Sequence, residues 1–166
     1  MNGTAESITL KDHSVNLITA AQAFHWFDAA KARSEFVRIL KPGGHVALIW
    51  NDRKTEKPFL EAYESLLLTY GDDYTKVNHR NIDPAAIAAF FFPNAFTEAA
   101  IPNSQIMDLA ALTGRLLSSS YIPEQGHPKY EPMLRDLRVI FDKYESGGKV
   151  TFDYNTLVYY GQLTQE

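Results

Sequence analysis

The stretch from Val15 to Asn51 constrains this chain most, because it holds a strand, a helix and a second strand together with the turn chemistry that joins them. Val15-Asn16-Leu17-Ile18-Thr19-Ala20-Ala21 is short, apolar and partly β-branched, which predicts a buried strand. It leaves through the small and aromatic run Gln22-Ala23-Phe24-His25-Trp26-Phe27. Asp28 is placed to cap a helix in which Ala32, Phe36, Ile39 and Leu40 recur at helical spacing, while Lys31, Arg33, Glu35 and Arg38 face away from them. Lys41-Pro42-Gly43-Gly44 stops that helix, since Pro42 cannot continue the hydrogen-bond ladder and the glycines permit a left-handed turn. His45-Val46-Ala47-Leu48-Ile49-Trp50 is then almost unbroken in apolar residues, as a parallel strand covered on both faces should be. The unit predicts an α/β chain.

The rest of the sequence adds helices and strands around it. Asn51-Asp52-Arg53-Lys54-Thr55-Glu56-Lys57 is expected to be a polar loop, at the carboxyl ends of strands where a doubly wound sheet places its ligand crevice. Two readings stand there: Trp50 and Asn51 face a substrate, or Trp50 closes the core and the charged run is solvated. Pro58 opens a helix with Phe59, Leu60, Tyr63, Leu66, Leu67 and Tyr70 on one side, ending at Gly71. Asp83-Pro84 starts a short helix through Phe91, and a short strand is predicted near Phe96 to Ile101. Asp108 caps the helix Leu109 to Leu117, and Pro128 to Tyr144 places Met133, Leu134, Leu137, Ile140, Phe141 and Tyr144 on one face before Gly147-Gly148. Val150 to Tyr154 and Leu157 to Tyr160, interrupted by Asn155, read as the last strand.

At 166 residues and 45% hydrophobic content, residues 1–166 are expected to form a single domain with its own core. A net charge of -4 gives a nucleic-acid backbone no electrostatic footing. There is no cysteine for disulfide or thiolate chemistry, and the histidines at 13, 25, 45, 79 and 127 lack close metal-ligand spacing, so no metal is expected. No apolar run is long enough to span a bilayer, which makes no membrane partner and a cytoplasmic location the default expectation.

Asp12-x-x-Val15-Asn16-Leu17-Ile18 before the turn ending at Phe27, followed by Phe36-Val37-Arg38-Ile39-Leu40-Lys41-Pro42-Gly43-Gly44, resembles the fourth strand, next helix and fifth strand of class I S-adenosylmethionine-dependent methyltransferases. Within that family, Ala23-Phe24-His25-Trp26-Phe27-Asp28 resembles the branch that methylates small carboxylic acids, of the trans-aconitate methyltransferase type. The resemblance implies a partial Rossmann-like methyltransferase sheet, fourth to seventh strands, with flanking helices. It implies S-adenosylmethionine as cofactor and a small-molecule acceptor as substrate. Gly3-Thr4-Ala5-Glu6 corresponds to the turn that meets adenine; Thr4 stands at the acidic position, so recognition falls to its hydroxyl or to Glu6, unless the segment is an ordinary surface turn. Ala20 and Gln22 fall on the cofactor side, with Gln22 toward its methionine end. His25 is the candidate general base, or a packed histidine between aromatics. Trp26, Trp50 and Asn51, with Arg115, Ser120 and Tyr121 from a Ser-x-Ser-Tyr segment, are the acceptor-side candidates. An arginine fork suits a carboxylate, though Arg115 alone on a helix can equally be a surface residue.

The sequence contains no Gly-x-Gly-x-Gly cofactor loop, which the resemblance would place upstream of Met1 together with the ribose-binding acidic residue. The expectation is therefore a truncated chain that binds cofactor weakly or not at all by itself. Val15 to Ala21 would keep an open edge, with Leu17, Ile18, Phe24, Trp26 and Phe27 forming one exposed patch, and would pair as a homodimer or with another chain. Two functions are compatible with this: an S-adenosylmethionine-dependent methyltransferase, inactive alone, or a non-enzymatic methyltransferase-like fragment that acts by association.

Overall fold

The computed structural model describes residues 3–72, 74 and 83–164; Met1, Asn2 and His79 of the sequence reading lie outside them. Two compact units emerge, one from Met1–Asp52, His79–Ile101 and Asn155–Glu166, the other from Arg53–Asn78 and Pro102–Tyr154. The strands are β1 (Val15–Ala21), β2 (Leu40–Arg53), β3 (Phe96–Met107) and β4 (Val150–Gln162), in the sheet order β1-β2-β4-β3. The helices are α1 (Ala29–Ile39), α2 (Pro58–Tyr70), α3 (Pro84–Phe91), α4 (Leu109–Leu117) and α5 (Tyr130–Tyr144). The mixed α/β class follows the sequence reading, and each strand that was expected is present.

β1 and β2 pair in parallel from Leu17 opposite His45 to Ala21 opposite Ile49, but Val15 stands opposite Leu40, so the register shifts where Lys41-Pro42-Gly43-Gly44 is inserted. The expected turn is thus absorbed into a longer β2 as an irregularity. Gly43 has φ +78 and needs glycine for its backbone. At Gly44 the requirement is space: a Cβ there would stand 2.8 Å from Leu40 Cδ2, 2.9 Å from the Lys41 carbonyl oxygen and 3.2 Å from that of Asn16.

Four expectations change. β1 is not a buried strand: only Ala20 is buried and Leu17 is 56% exposed, because β1 is the terminal strand of the sheet and has one neighbour. β2 continues through Asn51, Asp52 and Arg53, which were expected in a loop. β3 extends to Met107 past Pro102, which a terminal strand tolerates because its outward side needs no N–H. β4 runs unbroken through Asn155.

In the first unit Phe24, Phe36, Leu48, Trp50, Ile87, Phe90, Phe91 and Tyr159 form the core. Phe24, expected in an exposed patch, is instead its hub, with ring centroids 5.0 Å from Phe90, 6.0 Å from Phe27 and 6.1 Å from Trp50. Each such ring contributes about 1.5–3 kcal/mol by burial, which outweighs the preference of a turn residue for water. α1 lies on this core through Ala32, Phe36 and Ile39, with Asp28 accepting from the Lys31 N–H at 3.2 Å. In the second unit the apolar stripes of α2 (Phe59, Leu60, Tyr63, Leu66, Leu67) and α5 (Met133, Leu137, Phe141) meet Leu112 and Leu116 of α4 and Phe152 of β4.

Two arginines on α1 fasten the first unit differently. Arg38 donates to Glu35 through Nε at 2.8 Å and Nη2 at 2.6 Å, to Asp12 at 2.5 Å, and to the carbonyls of Leu10 and Ile8 at 2.9 Å each. Glu35 also accepts the Ile8 N–H at 2.7 Å, so residues 8–12 are clasped to α1. Among the described residues Arg33 donates to carbonyl oxygens alone, those of Phe90 at 3.0 Å, Phe92 at 2.7 Å and Thr164 at 3.1 Å.

The Arg38 guanidinium, then the Ile8 N–H, hold the Glu35 carboxyl at about 2, against an ordinary 4.5, in spite of opposing desolvation. A depressed acidic group stabilises the fold above its unfolded value and loses that contribution as pH falls toward its folded value. Between about pH 4.5 and 2 the wild type should therefore lose stability more steeply than Glu35→Gln, measured by urea unfolding across that range; parallel slopes would show that the clasp adds nothing.

Candidate ligand-binding site

β1 ends at Ala21, and the next residue leaves the sheet in left-handed backbone, Gln22 having φ +52, which is uncommon for a residue with a side chain. Its N–H still bonds the Ile49 carbonyl at 2.9 Å, so the departure begins from the β1–β2 ladder. The side chain reaches the Asn51 carbonyl with Nε2 at 3.4 Å, a long and weak bond, while Oε1 is buried without a hydrogen-bond partner among the described residues. Asn51 is held in turn by the Thr156 hydroxyl, at 2.8 Å from its Oδ1. Strained backbone and an unsatisfied acceptor each cost free energy, and both fall on one residue at the carboxyl end of a strand. An N–H or ammonium donor is the chemistry that would satisfy Gln22 Oε1.

The 3-10 turn Phe24–Trp26 follows, with Phe24 inward and the other two side chains outward. Trp26 is 74% exposed and its ring lies 4.7 Å from that of His25. Partial burial lowers the His25 imidazole below its ordinary pKa of 6.5, which keeps it neutral and able to accept a proton at neutral pH. Trp50 is only 3% exposed and packs edge-on against Phe24 and Tyr159 at 6.1 and 5.8 Å, so it closes the core and does not face a ligand.

The turn at Thr4 is closed by reciprocal bonds between Thr4 and Ser7, both at 3.2 Å. Glu6 does not stand free: Oε1 accepts the Asp28 N–H at 3.0 Å, and the Thr4 hydroxyl and that N–H hold the carboxyl below the usual range. Ala5 and Ala20 both pack against the first core. The structure thus groups Gln22 and Asn51 and ties Glu6 to the start of α1.

Arg115, Ser120 and Tyr121 belong to the second unit. Arg115 Cζ lies 4.7 Å from the centroid of the Phe152 ring and 5.6 Å from that of Tyr154, and Nη1 donates to Gln105 Oε1 at 3.2 Å. The Tyr154 hydroxyl shares that acceptor at 3.2 Å. Ser120 is exposed, and the Tyr121 ring lies 5.0 Å from that of Tyr74.

The residue that the sequence reading missed is Arg53. It was expected to be solvated and is 2% exposed. Nη2 donates to Glu64 and to the Tyr74 hydroxyl at 3.0 Å, Tyr74 bonds Glu64 at 2.9 Å, and the guanidinium lies 5.1 Å from the Tyr63 ring centroid. Arg53 Nε is buried without a partner among the described residues. Burial pushes the Tyr63 phenol up to about 12, with Arg115 and Arg53 opposing, so it remains a donor. The one available sequence signal was Glu64, a carboxylate beside Tyr63 and near the apolar stripe of α2. Among the described residues no group of three or more histidines and acids could hold a metal, and no helix is long and apolar enough to cross a membrane.

Comparison with known proteins points one way. A family model described as a methyltransferase domain matches residues 1–48. An uncharacterized methyltransferase of Schizosaccharomyces pombe is 30% identical over 164 residues, covering 95% of this chain and 62% of its own length, so the chain spans less than two thirds of that relative. A malonyl-[acyl-carrier protein] O-methyltransferase of Methylococcus capsulatus is 36% identical over 77 residues, 46% of this chain and 26% of the relative. A solved structure from Anaeromyxobacter dehalogenans, named as a candidate type II methyltransferase, superposes with a TM-score of 0.63 at 19% identity, covering 98% of this chain and 71% of the other; it bears on the fold alone.

If Gln22 is kept for a ligand and not for the fold, Gln22→Leu should leave stability within ~1 kcal/mol of wild type, because one orphan acceptor disappears along with one long bond. Urea unfolding tests this, and a loss above ~2 kcal/mol would make the amide a structural element.

Proposed function

We propose that the chain is a class I S-adenosylmethionine-dependent methyltransferase and serves methyl transfer from S-adenosylmethionine to a small-molecule acceptor, a reading supported by the methyltransferase family model and relatives it matches. The observation that carries this reading is Gln22, a strained residue with a buried, unpartnered amide oxygen at the carboxyl end of β1. That oxygen suits the ammonium of an amino-acid end group, and the cofactor supplies an electrophilic methyl group. Ala20 provides a small neighbour, and Thr4, Ala5 and Glu6 form the second contact region. Glu6 is already engaged with Asp28, so the Thr4 hydroxyl, through its lone pairs, is the freer acceptor for adenine. His25, neutral and outward, takes the acceptor's proton when the acceptor carries one. Trp26 is the apolar surface beside it, and Asn51 holds Gln22 in place. Arg115, Ser120 and Tyr121 belong to the second unit and are proposed as acceptor contacts by resemblance alone. A carboxylic acid as acceptor is supported by the relative named malonyl-[acyl-carrier protein] O-methyltransferase and by Arg115, which has no carboxylate partner among the described residues.

The reading includes weak cofactor affinity for the chain by itself, since neither a glycine loop nor a ribose-binding acid accompanies these contacts. Calorimetric titration with S-adenosylhomocysteine should give a dissociation constant weaker than about 1 μM, equivalent to about -8 kcal/mol, and Gln22→Leu should weaken it further. In a relative that has the same turn and is active, His25→Ala should lower turnover about 10²-fold and remove the acid limb of the pH profile. An unchanged rate would leave alignment of the reactants as the mechanism.

A second reading, a methyltransferase-like partner that acts by association, is favoured by β1. Its seven residues carry no charge and no proline, the devices that usually protect a sheet edge, and Leu17 and Trp26 are exposed beside it. A two-fold pairing of this edge is the simplest closed arrangement. Light scattering after size exclusion should find a dimer that Leu17→Lys converts to monomer; a wild-type monomer at all concentrations removes this reading.

A further inference from the structure

A cleft of about 490 Å³ lies against α1, and none of its lining residues belongs to the turn that carries Gln22 and His25. Ala30, Arg33, Ser34 and Val37 line it at helical spacing from α1, while Asp12 and His13 come from the segment before β1. All belong to the first unit. The two arginines in the cleft differ in what they have left to donate. Arg38 engages each of its five N–H groups, with Glu35, Asp12 and the carbonyls of Leu10 and Ile8. Arg33 uses three, on the carbonyls of Phe90, Phe92 and Thr164, and its Nη1 has no partner among the described residues. Those acceptors carry no formal charge, so Arg33 also has no counter-ion among the described residues.

His13 stands in left-handed backbone, φ +52, a conformation that costs free energy for a residue with a side chain. There its N–H bonds the Arg38 carbonyl at 3.0 Å, the Ser14 N–H bonds that of Ile39 at 2.8 Å, and its Nδ1 bonds that of Leu40 at 2.9 Å. A carbonyl oxygen only accepts, so Nδ1 carries the hydrogen, and Nε2 of the neutral ring is an acceptor without a partner among the described residues. Ser34 likewise donates its hydroxyl to the Ala30 carbonyl at 3.1 Å and keeps its lone pairs. The cleft thus combines a cationic donor with neutral acceptors, and α1 rises about 10 Å between Arg33 and Leu40. Either parallel pair of N–H groups that would grip a carboxylate includes Arg33 Nη2, which is occupied, whereas the diverging hydrogens of Nη1 suit a tetrahedral anion. We propose that this cleft binds a small hydroxylated phosphomonoester of the sugar phosphate type. Its phosphate takes the Arg33 Nη1 hydrogens, and its hydroxyls donate to Ser34 Oγ and His13 Nε2.

The site stands apart from the methyl-transfer reading, and its test needs no cofactor. The full chain is titrated with glucose 6-phosphate, glucose and inorganic phosphate at constant ionic strength, following the backbone amide resonances of His13 and Ser34 by NMR. Glucose 6-phosphate should shift both saturably. Glucose, which lacks the anion, and inorganic phosphate, which lacks the sugar hydroxyls, should each bind at least about tenfold more weakly. Ser34→Ala suits a helix and His13→Asn suits left-handed backbone, so both should stay folded. Each should weaken glucose 6-phosphate several-fold and leave inorganic phosphate unchanged. Arg33→Gln should abolish binding of both phosphates, and Arg135→Gln, on α5, should alter neither. The proposal is overturned if glucose 6-phosphate shifts neither amide, if glucose or inorganic phosphate matches it, or if Ser34→Ala or His13→Asn binds it like wild type.

Discussion

The parallel pairing of β1 with β2 is the constraint on which the first unit rests. Both strands are joined through α1, so their register is set by how the chain returns from that helix. Val15 stands opposite Leu40, yet Leu17 stands opposite His45, and the extra residues of Lys41-Pro42-Gly43-Gly44 are accommodated between those pairs. A shift of one residue would exchange the two faces of a strand. The close approach at Gly44 therefore does more than end a helix: it selects the register in which Val46, Leu48 and Trp50 point into the core and Gln22 arrives beside Asn51.

Helices were the more legible part of the fold. The stripes of α2 and α5 and the aspartate caps at Asp28, Asp83 and Asp108 all depend on neighbours within one or two turns, and the caps accept the N–H groups expected of them. Strand lengths and burial were less legible, because they depend on partners distant in sequence. β1 has the composition of an interior strand but one neighbour, whereas β3 includes Pro102 because a terminal strand permits it. The same distinction applies to the site. Gln22 and His25 could be singled out from one short turn, but Trp50 stood open between a substrate-facing and a core role until Phe24 and Tyr159 were placed around it. Arg53 was read as solvated because its partners Glu64, Tyr74 and Tyr63 come from α2 and beyond.

Among the described residues three buried side-chain atoms lack a hydrogen-bond partner: Gln22 Oε1 in the first unit, and Arg53 Nε and Asp153 Oδ2 in the second. Asp153 Oδ2 lies 2.6 Å from Lys57 Nζ, an ion pair that offsets its burial, whereas Gln22 and Arg53 keep unused hydrogen-bonding capacity. Neither group improves the packing around it, so replacing either should be judged by binding as well as by stability.

The two arginines of α1 give the first unit an order of loosening in acid. Arg38 holds residues 8–12 through Asp12 and through Glu35, a carboxylate that neutralises as pH falls toward about 2. Arg33 grips the carbonyl oxygens of Phe90, Phe92 and Thr164, and those dipoles do not titrate. The end of α3 and the last residues after β4 should thus remain attached to α1 after the segment preceding β1 has let go, so that acidification opens this unit from its N-terminal side.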